Sequence, residues 1–134
     1  FLKGVSMGLQ AVILTGTTNG SGDVTVNAAL PVNGFLYSIE WVFGSGTAGV
    51  DAVISEQSTE SGVSHTLLTL TDANANAVYF PRYLVHSEAG AALTGTSGGD
   101  RAKYLLSGTL RMVVAQGGSA KPYTIVVWIE KVKP

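Results

Sequence analysis

Two histidines, His65 and His86, are the first residues to weigh for chemistry. A metal site without cysteine needs two or three histidines with carboxylates close by. The chain has no H-x-H or H-E-x-x-H spacing, so both are expected to be hydrogen-bonded or surface side chains, with no metal bound. A nucleophile needs an activating base and a group that orients the base. Ser87 adjoins His86, but neighbours on a strand point to opposite faces. Gly20-Ser21-Gly22 and Gly44-Ser45-Gly46 lack the Gly-x-Ser-x-Gly spacing of a nucleophile elbow. The carboxylates are Asp23, Glu40, Asp51, Glu56, Glu60, Asp72, Glu88, Asp100 and Glu130. Glu40 and Glu130 sit mid-strand beside aromatic-rich faces, which makes them the best pair for glycoside hydrolysis. Each is also explained as a solvated outward position or a charge that guards a strand. The glycine-rich stretch 44–49 is followed by no Lys-Ser/Thr pair and opens no helix, so it is not a phosphate cradle. The expectation is a chain with no catalysis and no cofactor.

Aromatic residues offer a different role, that of contact. Trp41 shares a period with Tyr37 and is expected in the core. Trp128 alternates with Tyr123, Ile125, Val127 and Ile129, and so falls on the opposite face with Thr124, Val126 and Glu130. An outward Trp beside Val suits either a sugar-stacking platform or a subunit contact.

The elements that must carry these residues are strands. Phe35, Tyr37, Ile39, Trp41 and Phe43 alternate with Leu36, Ser38, Glu40 and Val42, and the run from Tyr123 to Glu130 alternates in the same way. Period two also marks Leu9, Ala11 and Ile13; Val24 and Val26; Val50, Ala52 and Ile54; and Leu110, Met112 and Val114. Segments 65–71 and 79–85 add two more strands, with Pro81 placing the second at an edge or a bulge. Asn19-Gly20, Ser21-Gly22, the Asp/Asn-rich 72–76 and the glycines at 117 and 118 punctuate these runs, and Asn33-Gly34 predicts a hairpin. The only helical candidate, 88–92, is too short to stand. About eight strands at short spacing predict an all-β, single-domain antiparallel β-sandwich over 1–134, of jelly-roll type. The predicted core holds Phe35, Tyr37, Ile39, Trp41, Ile125, Val127 and Ile129. Segment 86–102 has no period and several glycines, as a loop with a function would. Segment 1–7 is read as an arm or a first strand.

Composition narrows the partners. At 134 residues there is room for one core. With no Cys there is no disulfide framework, and the compartment stays open. Lys plus Arg is 8 and Asp plus Glu is 9, which argues against nucleic acid held by phosphate neutralisation. No apolar run approaches the ~20 residues of a membrane helix. Charged residues make up 13% of the chain, against a usual level of about 25%. So sparse a charge favours a surface covered in an assembly. The expected contact residues are Trp128, Val126, Leu93 and Arg101, the last two from the long loop.

Several segments together resemble a group of small tailed-bacteriophage virion proteins. They are Gly22-Asp-Val-Thr-Val26, Pro31-Val-Asn-Gly-Phe-Leu-Tyr-Ser-Ile39, Leu67-Leu-Thr-Leu-Thr-Asp72, Tyr79-Phe-Pro-Arg82 followed by His86, and Ala115-Gln-Gly-Gly-Ser-Ala-Lys121. The resemblance spans about Val12 to Ile129 and lies in turns and strand patterns, with no chemical signature to transfer. It implies a capsid decoration (cement) protein on the outer surface of the virion, commonly a homotrimer, with the major capsid protein as partner. From charge balance and the absence of a long apolar run, neither nucleic acid nor a membrane is expected as a partner. The alternatives are another phage component, such as a head fibre base or tail adaptor, or a carbohydrate-binding β-sandwich module.

Overall fold

The computed structural model describes residues 6–86, 89–90 and 101–133. Its strands in chain order are β1 (Ser6–Thr17), β2 (Val24–Asn27), β3 (Gly34–Val42), β4 (Asp51–Ser58), β5 (Ser64–Leu70), β6 (Ala77–Tyr79), β7 (Tyr83–Leu84), β8 (Arg101–Ala102), β9 (Leu105–Leu106), β10 (Gly108–Ala115) and β11 (Pro122–Lys133). Among the described residues there is no helix.

One sheet runs β1-β11-β3-β6, with β9 added beside β3, and the other runs β2-β10-β4-β5. The pairs β1–β11, β2–β10, β3–β6 and β4–β5 are all antiparallel. This is an antiparallel ribbon rolled up so that the chain alternates between two sheets: a jelly roll. β7 and β8 form a separate two-stranded ribbon in the connection from β6 to β10. Ser6 and Met7 pair with Lys133 and Val132 as the start of β1, whereas 1–5 lie outside the described residues.

The sandwich forms because each central strand is apolar towards the other sheet. Ile125, Val127 and Ile129 of β11 face Leu110, Met112 and Val114 of β10, joined by Ile39, Trp41, Ile54 and Leu36, all buried. Phe35 and Tyr37 are not in this core: they are 40% and 39% exposed, and Leu36 takes the inward position. The cause is a β-bulge. Trp128 pairs with Ser38 but Ile129 pairs with Leu36, so Tyr37 is an extra residue on β3. One inserted residue reverses the alternation before it, because side chains change face with every step.

Asn33-Gly34 is not a hairpin either, since β2 and β3 belong to different sheets. Gly34 opens β3 at a φ of 145°, and a Cβ there would lie 2.3 Å from the Glu130 carbonyl oxygen. Glycine is required because the backbone of β11 passes against it. Segment 79–85 is interrupted: β6 ends at Tyr79 as the edge of its sheet, and Pro81 precedes β7.

Candidate functional site

The outer face of the β1-β11-β3-β6 sheet is built by the residues that alternate with the core. Register places Ala11 beside Trp128 and Trp128 beside Ser38, and it places Ile13 beside Val126, Val126 beside Glu40 and Glu40 beside Val78. Leu9 and Thr15 extend the face along β1, and Val42 extends it along β3. The exposure of this face is large for its chemistry: Ile13 is 62% exposed, Leu9 53%, Val78 53% and Phe80 55%. The bulge adds to it, because the inserted Tyr37 packs edge-on against Phe80 with ring centroids 5.9 Å apart. Arg82 Nη1 donates to the Tyr37 carbonyl at 3.2 Å and to that of Pro81 at 2.7 Å, fixing this corner.

Charge on the face is sparse. Glu40 lies mid-face, and its side chain makes no hydrogen bond or ion pair with the described residues. Glu130, near one end, is paired with Lys103. The two carboxylates are not brought together. Glu40 aligns with Val126, and Glu130 is four residues further along β11, roughly 13 Å at the strand rise. That exceeds the carboxylate spacing of a glycosidase.

Trp128 and Val126 are where the alternation put them, on this outer face and half-buried. Arg101 is exposed and belongs to the separate ribbon, opposite Leu84. Leu93 lies outside the described residues, as does most of the 86–102 segment. Leu9, Ile13, Val42, Val78 and Phe80 were missed as members of the face. The signal was present in β1, where Leu9, Ala11 and Ile13 alternate with Val12 and Leu14, so both faces are apolar.

A second cluster surrounds Glu56, which is 2% exposed. It continues the inward series Ala52, Ile54 on β4, so the next alternate position carries a carboxylate into the interior. Its Oε2 accepts the backbone N–H groups of Ser107 at 2.6 Å and Gly108 at 2.7 Å. Its Oε1 lies 3.1 Å from His65 Nε2, on the register partner in β5. Tyr104 stacks on His65 at 6.1 Å, and Tyr83 tilts against Tyr104 at 5.4 Å. A buried carboxylate is stable when such donors saturate it. Here they tie the β9–β10 junction to β4. Each oxygen is engaged, which leaves the carboxylate a fastener more than a reagent. Among the described residues, no group of three His, Asp or Glu side chains is placed to hold a metal, and His86 is exposed.

No protein-family model matches the chain, and no curated protein matches it. Among solved structures it is similar to a mitogen derived from Yersinia pseudotuberculosis, with a TM-score of 0.46 at 11% identity, covering 93% of this chain and 90% of that one. It is also similar to the virus-like particle of Macrobrachium rosenbergii extra small virus, with a TM-score of 0.37 at 10% identity, covering 96% of this chain and 81% of that one. A third is a structure of infectious bursal disease virus, at a TM-score of 0.32 and 14% identity, covering 96% of this chain but 38% of that one. Likeness at this level decides nothing about what the chain does; the strand order above establishes the jelly roll by itself.

Proposed function

We propose that this chain is a non-enzymatic virion protein that decorates and stabilises a bacteriophage capsid by binding between capsid subunits. The observation that carries the reading is the outer face of the β1-β11-β3-β6 sheet. Leu9, Ile13, Val42, Val78 and Phe80 are all exposed on or beside it, and a sheet face left to water would carry alternate polar residues instead. Permanent contacts have apolar centres of this kind. The sequence resemblance to phage virion proteins supplies the partner, the major capsid protein, and the place, the outer capsid surface. The rolled strands make a rigid support, which a clamp between subunits needs.

A sugar-binding role fits this face less well. Tyr37 and Phe80 meet at 84°, which does not present the flat platform that a sugar ring stacks on.

Cryo-EM of purified empty capsids mixed with the protein tests the proposal. Density for the jelly roll at capsid subunit junctions, lost with a Val78→Lys/Trp128→Ala double variant that still folds, is the expected result. Capsids of the matching phage that stay bare at saturating protein would overturn it.

A further inference from the structure

The four long edges of the sandwich are not equivalent. β6 is three residues long and is soon followed by Pro81. β2 has four residues, and β5 exposes Ser64, His65, Thr66 and Thr69. Short length, proline and polar side chains are the usual protections of an edge. β1 is neither short nor interrupted by proline, and its exposed polar residues, Gln10, Thr15 and Thr17, carry no charge. It is twelve residues long, with no charged residue. Among the described residues it pairs with β11 on one side only, so half of its backbone N–H and C=O groups point away from the sheet.

Among the described residues, no neighbouring segment covers that edge. At Gly16 the sandwich is closed, since a Cβ there would lie 2.6 Å from a Val26 methyl. Beyond Gly16 the crossover from β2 to β3 leaves β1 and bonds to β10 instead. Ala28 N donates to the Leu110 carbonyl at 2.8 Å, and Val32 N to the Gly108 carbonyl at 2.9 Å. What remains is a groove of about 550 Å³ between residues 10–15 of β1 and residues 26–32, with Lys131 as its one charged lining residue. Leu30, on its rim, is 75% exposed.

We infer that the free edge of β1 pairs with the β1 edge of a second copy of this chain, antiparallel across a two-fold axis. The groove carries a single charge, beside a long open strand edge, so it suits an extended segment without charge, and β1 itself is such a segment. Antiparallel pairing of identical strands satisfies both open edges in one contact, and a two-fold closes the assembly at two copies. The two sheets become one, and the outer apolar faces of both copies join through Leu9, Ala11 and Ile13. This contact differs from the three-fold ring that the sequence resemblance implies, and it does not depend on capsid binding.

The test uses the absence of native cysteine. Single substitutions Leu9→Cys, Ala11→Cys, Ile13→Cys and Thr15→Cys lie on the outer face, and each can form a disulfide only between copies. Mild oxidation should link the position nearest the two-fold strongly and the positions away from it progressively less, because only there do identical residues face each other within disulfide reach. Sedimentation equilibrium of the wild type should give a dimer. Ile13→Lys should weaken it by about tenfold or more, while Val78→Lys, on the same face at the far edge, should leave it unchanged. A monomeric or three-fold wild type would overturn the inference. So would equal or absent cross-linking at all four positions, or a dimer lost equally in Val78→Lys.

Discussion

Trp41 lies flat against Tyr123 in the core at one end of the sandwich, with ring centroids 5.4 Å apart and planes 13° apart. Both polar atoms are tethered. Trp41 Nε1 donates to the Ala73 carbonyl at 2.9 Å, and the Tyr123 hydroxyl donates to Gly117 at 2.7 Å while accepting Thr47 N–H at 2.9 Å. The stack thus ties β3 and β11 of one sheet to three loops. Trp41→Ala should cost about 3–5 kcal/mol in urea unfolding. Tyr123→Phe keeps the ring but strands a carbonyl and an N–H, and should cost about 1–3 kcal/mol. Near-native stability in Trp41→Ala would contradict the core assignment.

Glu56 makes a second prediction. Glu56→Gln retains the shape but loses the charge that both the Ser107 and Gly108 N–H groups donate to. Thermal unfolding should show a loss of about 1–3 kcal/mol. Amide exchange at Ser107 and Gly108 should accelerate more than exchange in β11.

Gly34→Ala places a methyl 2.3 Å from the Glu130 carbonyl at a positive φ. The expected penalty exceeds about 1 kcal/mol. Gly20→Ala, where a Cβ would meet nothing within 4 Å, is the matched control and should be close to neutral.

Replacements on the outer sheet face should separate stability from binding. Val78→Lys is expected to shift stability by no more than about 0.5 kcal/mol, and to abolish attachment to capsids in a pelleting assay. Loss of both together would mean that the face is structural.

The architecture was legible because period two is preserved in nearly every strand, and the inward sets of β10 and β11 could be read directly. Phase was lost where a residue is inserted. Nothing in Phe35-Leu36-Tyr37-Ser38-Ile39 announces that Tyr37 is extra, since all but Ser38 could serve a core. The bulge is selected by the pairing with β11, which is a tertiary fact. Gly34 failed as a hairpin signal for a similar reason: local chemistry permits the turn, but β11 occupies the space beside it. Glu56 was reachable in principle, being the next step after Ala52 and Ile54. Its partners come from Ser107 and Gly108, about 50 positions away, and cannot be seen locally. Trp128 was placed on the correct face because β11 alternates without interruption from Tyr123 onwards.

The rolled topology also sets an order of events during synthesis. β11 is the inner neighbour of both β1 and β3, and β10 is the inner neighbour of both β2 and β4. Among the described strands, the two at the heart of the sheets are therefore the last to leave the ribosome. Until then β1 and β2 lack the partners that give them a ladder, and only pairs such as β4 with β5 and β3 with β6 can form. Folding must wait for contacts between distant parts of the chain, the slow regime of β-rich topologies. During that wait the uncharged β1 is open to wrong neighbours. Slower translation would lengthen the exposure without helping the fold, so the soluble yield of this chain should rise with faster elongation or with a chaperone that shields its first strand.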